Sequence, residues 1–279
     1  MRIALLQLNS SDDPAANLSV TCDMLREAAE GGATFVLTPE VTNCVSASRA
    51  RQNAVLELEE QDQTLARLRD EAARHRIWLL LGSLALKSGA ADGRYVNRSF
   101  LILPDGSIAA RYDKIHMFDV QISETERYHE SAGYRPGENA VVVDGPIGPL
   151  GMTICYDLRF PHLYRDLAQA GATMLTVPSA FSPVTGAAHW EPLLRARAIE
   201  TGCFVIAPAQ CGTHAVSEGK ARKTYGHSLV VAPWGEVLAN GGTETGVVWA
   251  EIEPEAVAEA RGKVPSITAR SVYTAPQPQ

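Results

Sequence analysis

The chain has 279 residues, 46% of them hydrophobic and 20% charged, with a formal net charge of −7. That length and apolar share allow a large buried core, in one α/β domain as readily as in two small ones, and the acidic balance argues against a nucleic-acid surface. The five cysteines, Cys22, Cys44, Cys155, Cys203 and Cys211, are irregularly spaced, and neither C-x-x-C nor H-E-x-x-H occurs, which argues against a disulfide framework or a zinc site and for a reducing compartment.

Residues 2–9 are apolar and read as a first strand. The run is too short for a signal peptide, and no later stretch approaches membrane-spanning length, so a cytoplasmic protein without membrane contact is expected. Asp13-Pro14 opens a helix, Asp as cap and Pro as first residue. Leu18, Leu25 and Ala28 form its inner face, and Gly31-Gly32 ends it. Residues 34–37 are a second, short buried strand, followed at once by Thr38-Pro39-Glu40. Residues 53–75, rich in Leu, Ala, Glu and Arg, read as helix, and 77–81 as a third strand. Such alternation, with nearly continuous apolar strands, indicates a layered α/β fold.

Residues 95–112 give two strands around the turn Leu103-Pro104-Asp105-Gly106. Residues 113–139 form a long polar connection, a kind that is uncommon inside compact domains and often functional. Strands follow at 141–143 and 150–154, the second stopping at Cys155. After a turn, Pro161 starts a helix whose stripe is Phe160, Leu163, Tyr164 and Leu167, ended by Gly171. A strand at 173–177 leads into Pro178-Ser179-Ala180-Phe181; then come a helix at 190–201 capped by Gly202, a strand at 204–207, a polar loop at 211–224, a strand at 247–252 and a helix at 254–261. The tail from about 270 reads as frayed.

The stretch 99–106 echoes 228–235. Each is a strand and a Pro-x-Gly turn, with Ile108 and Val237 in matching places on the return strand. Either two common hairpins coincide, or the chain has two like halves, each a sheet with helices on one face, packed face to face as α-β-β-α.

Glu40, Lys114 and Cys155 each follow directly on a predicted strand, where α/β sheets usually carry their chemistry. A cysteine between a strand end and a helix start meets outward-pointing N–H groups, which suit a thiolate and a developing oxyanion; it also fits a small buried apolar residue. Together the three can form an acyl-transfer site. The thiol attacks, Glu40 acts as base if a dry pocket raises its pKa, and Lys114 with the backbone N–H of Tyr156 receives the oxyanion. Glu40 equally suits a backbone-capping role and Lys114 a solvated surface. His116 suits either a Cys-His dyad or a hydrogen-bonding or packing role.

Thr38-Pro39-Glu40, Tyr112-Asp113-Lys114-Ile115-His116 and the run from Gly151 through Cys155-Tyr156-Asp157-Leu158-Arg159-Phe160-Pro161 resemble, in order and placement, the three signature motifs of the nitrilase superfamily of carbon–nitrogen hydrolases. The resemblance covers nearly the whole chain, 1–279, as a single domain. It implies a four-layer α-β-β-α sandwich and a Glu-Lys-Cys triad at Glu40, Lys114 and Cys155. It further implies an accessory glutamate at Glu130 within Tyr128-His129-Glu130-Ser131, and no metal or organic cofactor. A homodimer or higher homo-oligomer is implied too, with the turn after Cys155 and its helix as a natural face.

The second half is most similar to the Nit branch of that superfamily, in Pro178-Ser179-Ala180-Phe181, in the stretch Thr185-Gly186-Ala187-Ala188-His189-Trp190-Glu191 and in Leu194-Arg195-Ala196-Arg197-Ala198-Ile199-Glu200. Ala209-Gln210-Cys211-Gly212 and Tyr225-Gly226-His227-Ser228 lean toward deaminated glutathione amidases, while ω-amidases share the His-Trp-Glu stretch. The implied activity is hydrolysis of a small linear carboxamide through a thioester on Cys155, releasing ammonia. Deaminated glutathione is the first expectation and an α-ketoglutaramate-type keto-amide the alternative. A third reading, from the thiol alone, is a redox-sensing or binding protein. Both substrates carry carboxylates, so Arg222 or Lys220 is expected to supply a cation.

Two departures from the pattern, Asp113 and the loop 123–133, bear on the substrate; within that loop Glu124 and Glu126 read as solvated acids. Arg195 and Arg197 read as helix ion pairs with Glu191 and Glu200. His189 and Trp190 read as packing at a helix start, Asp157 and Arg159 as braces of the turn after Cys155, and Cys203 and Cys211 as packing residues.

Overall fold

A computed structural model describes residues 1–122, 124, 127–269, 272 and 274. Glu126 and most of the tail expected to fray lie outside the described residues. In chain order the first half comprises β1 (Arg2–Gln7), α1 (Pro14–Glu30), β2 (Phe35–Leu37), α2 (Arg49–Val55), α3 (Gln63–His75), β3 (Trp78–Lys87), β4 (Tyr95–Ile102), β5 (Ile108–Asp113), β6 (Asp119–Gln121) and β7 (Arg127–His129). There follow β8 (Val141–Gly145), β9 (Gly148–Met152), α4 (Pro161–Gln169), β10 (Met174–Thr176), α5 (Pro183–Thr201), β11 (Phe204–Ala207), β12 (Cys211–Thr213), β13 (Lys223–Tyr225), β14 (Leu229–Val231), β15 (Val237–Asn240), β16 (Gly246–Glu251) and α6 (Glu255–Lys263).

Two six-stranded sheets share one plan. Their orders are β16-β1-β2-β3-β4-β5 and β8-β9-β10-β11-β14-β15. In each, three parallel strands (β1, β2, β3; β9, β10, β11) carry one antiparallel strand on one side and an antiparallel hairpin on the other. The repeated hairpin motif occupies the same two places in both sheets, at β4–β5 and β14–β15, which explains the echo between residues 99–106 and 228–235.

Side-chain alternation builds the layers. Ile3, Leu5, Phe35, Leu37 and Leu80 point inward and join Leu150, Met152, Met174, Phe204 and Ile206 in one core. Ala4, Leu6, Val36, Leu79 and Leu81 point the other way, onto Leu25 of α1 and Leu65 and Leu68 of α3. Leu163 and Leu167 of α4 and Trp190 and Leu194 of α5 cover the second sheet. The result is an α-β-β-α sandwich. Among the described residues no helix is long and apolar enough to cross a membrane.

Four elements differ from expectation, one of them the polar loop expected at 211–224, which contains the antiparallel ribbon β12–β13. The helix predicted over 53–75 is broken into α2 and α3. Between them Leu58 bridges Lys87 at the end of β3, Glu59 accepts from Arg98 and Arg111 at 2.7 Å each, and Asp62 caps α3 by accepting from Leu65 N at 2.7 Å. These tertiary ties outweigh the helix propensity of the stretch. The connection 113–139 contains the ribbon β6–β7 and a single 3₁₀ turn at Glu130–Ala132. Helix α5 starts at Pro183 rather than at 190, so Trp190 is a buried mid-helix residue that donates to His227 O at 2.8 Å. Gly186 lets the Tyr225 ring sit where a Cβ would stand.

Candidate active site

Glu40 leaves β2 through Thr38-Pro39 and is 4% exposed. The next residue, Val41, has φ 49°, a strained value for a β-branched side chain, held by a hydrogen bond from Val41 N to Ser83 Oγ at 2.8 Å. Gly82 of β3 makes the approach possible. A Cβ there would stand 1.8 Å from Thr38 O and 2.5 Å from Pro178 Cβ. Three donors fix the Glu40 carboxylate. Lys114 Nζ (3.0 Å) and Asn97 Nδ2 (2.8 Å) both reach Oε1, and Ala180 N (2.9 Å) reaches Oε2.

Lys114 follows β5, is 2% exposed, and spends its other bonds on Glu130, whose two oxygens each accept at 2.9 Å. Glu130 also accepts from Phe118 N at 2.6 Å, so it ties the ammonium to the base of the β6–β7 ribbon. A solvated role for Glu130 does not fit these bonds. Cys155 opens a 3₁₀ turn, Cys155–Arg159, with φ 49°, and donates its N–H to Pro178 O at 2.9 Å. Strained backbone at both Glu40's neighbour and Cys155 is the kind of outlier that clusters at functional sites. The thiol lies within hydrogen-bonding reach of Glu40.

Burial by itself would raise the Glu40 pKa, but the charges of Lys114 and Arg222, with hydrogen bonds from Cys155 and Lys114, hold it below its ordinary value. The expected raised carboxyl is therefore not what this pocket makes. Burial also opposes the Lys114 ammonium, yet Glu130, Glu40 and Cys155 push its pKa well up. Burial and then the Glu40 charge push the Cys155 thiol well above its ordinary value, against Lys114 and the Ala180 N–H. The resting site thus holds a carboxylate, an ammonium and a neutral thiol.

The turn after Cys155 is braced from beneath. Buried Asp157 accepts from Ile154 N (2.9 Å), Tyr112 Oη (2.7 Å) and His116 N (3.0 Å), and meets His116 Nδ1 at 2.7 Å. His116 stacks on Phe160 with ring centroids 3.5 Å apart and lies outside the cavity, so it takes the hydrogen-bonding and packing role rather than that of a dyad base. Arg197 pairs with Glu200 at 2.9 Å, but it is 5% exposed and also donates twice to Leu158 O, at 3.0 and 2.7 Å; it braces the turn as well as the helix. Arg159 reaches outward to His189 and lies over the Tyr156 and Phe181 rings. Asp113 faces away from the cavity, in a two-pronged pair with Arg98 at 2.7 and 2.8 Å. Cys203 and Cys211 are buried, free and away from the cavity.

Glu40, Lys114, Glu130, Cys155 and Tyr156 line one cavity of about 510 Å³, together with Asn97, Phe118, Tyr128, Tyr134, Ala180 and Arg222. Lys220 does not line it. No group of three or more His, Cys, Asp or Glu among the described residues is placed to hold a metal.

A profile of the carbon–nitrogen hydrolase family matches residues 2–262. The chain belongs to that family. It is 39% identical over 264 residues to a deaminated glutathione amidase of Yersinia enterocolitica, covering 94% of this chain and 90% of that one. It is 37% identical over 268 residues to the Homo sapiens deaminated glutathione amidase, covering 94% and 80%. The crystal structure of the Caenorhabditis elegans NitFhit protein superposes with a TM-score of 0.88 at 37% identity over 96% of this chain; the match spans 64% of that longer protein. A glutamate-to-glutamine mutant of the amidase from Nesterenkonia sp. AN1, 28% identical with a TM-score of 0.76 over 95% of this chain and 98% of its own, shows acrylamide added to its active-site cysteine. The protein is thus a nitrilase-superfamily enzyme. The sandwich expected from the three motifs is the fold it shares with these relatives.

Sequence reasoning did not single out Asn97 or Ala180. Asn97 is a polar residue in the largely buried strand β4, a pattern it shares with Ser99, so residue type alone does not mark it. Ala180 acts through its backbone N–H, which no residue type announces.

Proposed function

We propose that this carbon–nitrogen hydrolase is an amidase that cleaves a small linear carboxamide through a thioester on Cys155. The observation that carries this reading is the Glu40 carboxylate held between the Lys114 ammonium and the Cys155 thiol in one buried cavity. As sulfur attacks the amide carbon, the thiol proton passes to Glu40 and the carbonyl electrons move to oxygen, which Lys114 and the Tyr156 N–H stabilise. Glu40 then protonates the leaving nitrogen, the C–N bond breaks, and the acyl group remains on sulfur. Water gives a proton to Glu40 and attacks the thioester; the acid departs and the thiol recovers its proton. Glu130 orients Lys114 in each step. A primary amide yields ammonia, and deaminated glutathione yields its cysteinylglycine portion.

Deaminated glutathione is the favoured substrate, supported by the relatives that carry that name over most of both chains and by a cavity larger than a five-carbon keto-amide alone would fill. The ω-amidase reading shares the acyl half and differs in the leaving group. Side-by-side kinetics test the two. A higher kcat/KM on deaminated glutathione than on α-ketoglutaramate is expected, and the reverse ranking would move the assignment to ω-amidase. Cys155→Ala is expected to abolish turnover, and intact mass of the wild type under substrate is expected to show an acyl adduct. Neither adduct nor product, together with selective oxidation of Cys155 by peroxide, would favour a sensor instead.

A further inference from the structure

Arg222 is unlike the other cations that line the cavity. Lys114 is committed to Glu40 and Glu130. Arg49 donates to Gly133 O and Gly93 O and lies over the Tyr95 ring at 3.8 Å. Arg127 donates to Gln121 Oε1 at 2.9 Å, out on the ribbon. Arg222 donates one Nη2 bond to Ala180 O at 2.6 Å, while its Nε is buried and has no hydrogen-bond partner. Among the described residues no carboxylate lies within 4.0 Å of its guanidinium. The same Ala180 whose carbonyl holds Arg222 uses its N–H to hold Glu40. A half-buried guanidinium with no carboxylate in contact, its Nε buried and unpartnered, therefore lines the cavity beside the residue that holds Glu40, with donors to spare.

We propose that Arg222 is the specificity-determining residue for the acyl half of the substrate, and that it binds a carboxylate at the far end of a short chain from the scissile amide. The ligand class is a monoamide of a dicarboxylic acid, with the carboxylate taken by the guanidinium's free edge, the planar match to a carboxylate that a lysine lacks. The inference rests on the amidase reading above and adds which amides the site selects. Arg159, the nearest cation of the nucleophile turn, is excluded because it points to His189 and does not line the cavity.

The test compares α-ketoglutaramate with butyramide, a neutral amide of similar reach. Losing a charge-assisted contact should lower kcat/KM for α-ketoglutaramate about 10- to 100-fold in Arg222→Gln, mostly through KM, with Arg222→Lys intermediate. Butyramide should lose distinctly less than α-ketoglutaramate, only what removing the Arg222 charge from beside Glu40 costs, since the carboxylate contact it lacks cannot be lost. Binding of glutarate to Cys155→Ala, followed by calorimetry, gives a readout independent of turnover and should weaken in step when Arg222→Gln is added. Equal losses on both amides, unchanged glutarate binding, or the same loss from Arg159→Gln instead would each overturn the proposal. Absence of turnover in the wild type with Arg222-dependent glutarate binding would overturn the amidase reading and leave the carboxylate site standing.

Discussion

Oε1 of Glu40 receives two N–H donors, from Lys114 and Asn97, whereas Oε2 receives only the Ala180 N–H. In the proposed reaction Oε2 is therefore the oxygen with more room to take the thiol proton. Asn97→Asp keeps the shape but replaces a donor with an acid, and kcat should fall about 10- to 100-fold with little change in KM; a wild-type kcat in a folded variant would show that Asn97 only packs. Because Glu40 rests ionised below its ordinary 4.5 and Cys155 rests as a thiol above its ordinary 9.0, kcat/KM should be level across neutrality, with the acid limb below 4.5 and the alkaline limb above 9.0. A limb between about pH 6 and 8 in the free enzyme would contradict that protonation state. Stability follows the same signs. The depressed Glu40 carboxyl stabilises the fold above its ordinary pKa and loses that contribution as pH falls through its lowered value. The raised Lys114 ammonium contributes below its ordinary 10.5 and stops contributing as pH rises through its higher folded value. Lys114→Met strands the buried Glu40 carboxylate and the half-buried Glu130 carboxylate and should cost about 3–5 kcal/mol in a urea melt. The cavity residues at strand ends were legible because each belongs to a motif of several residues. Asn97 was not, since a lone amide in the run Tyr95–Ile102 reads no differently from Ser99, whose hydroxyl merely donates to Leu81 O.

At the level of elements, the site depends on how closely β3 lets its neighbours approach. Gly82 leaves room for Thr38 O on one side and Pro178 on the other, the residues that lead to Glu40 and accept from Cys155 N. Gly82→Ala should therefore separate the two, losing at least about 1–3 kcal/mol in denaturant unfolding and most of the turnover; full activity would mean the strand ends have slack. Strands and caps were readable because their signals are local, such as Asp13 accepting from Ala15 N and Ala16 N ahead of Pro14. The break between α2 and α3 and the ribbon inside 113–139 were not readable. They are decided by partners far off in sequence, Lys87 and Arg98 in one case and the Glu130–Lys114 bond in the other.

Across the whole molecule, the inner faces of both sheets meet in one continuous core, and Glu40 and Lys114 come from one sheet while Cys155 and Ala180 come from the other. The two halves should unfold together. The slowest-exchanging amides of β2–β3 and of β10–β11 are expected to report one common opening free energy by hydrogen exchange, and two separate levels would show that each sheet melts alone. The shared plan of the sheets has one asymmetry. β8 precedes its neighbour β9 in the chain, but β16, the equivalent neighbour of β1, arrives nearly two hundred and forty residues after it. During synthesis the first sheet therefore waits, with the backbone edge of β1 bare, until residues 246–251 leave the ribosome, whereas the second can zip its own border as it emerges. A nascent chain stalled before that point should be the species that chaperones hold.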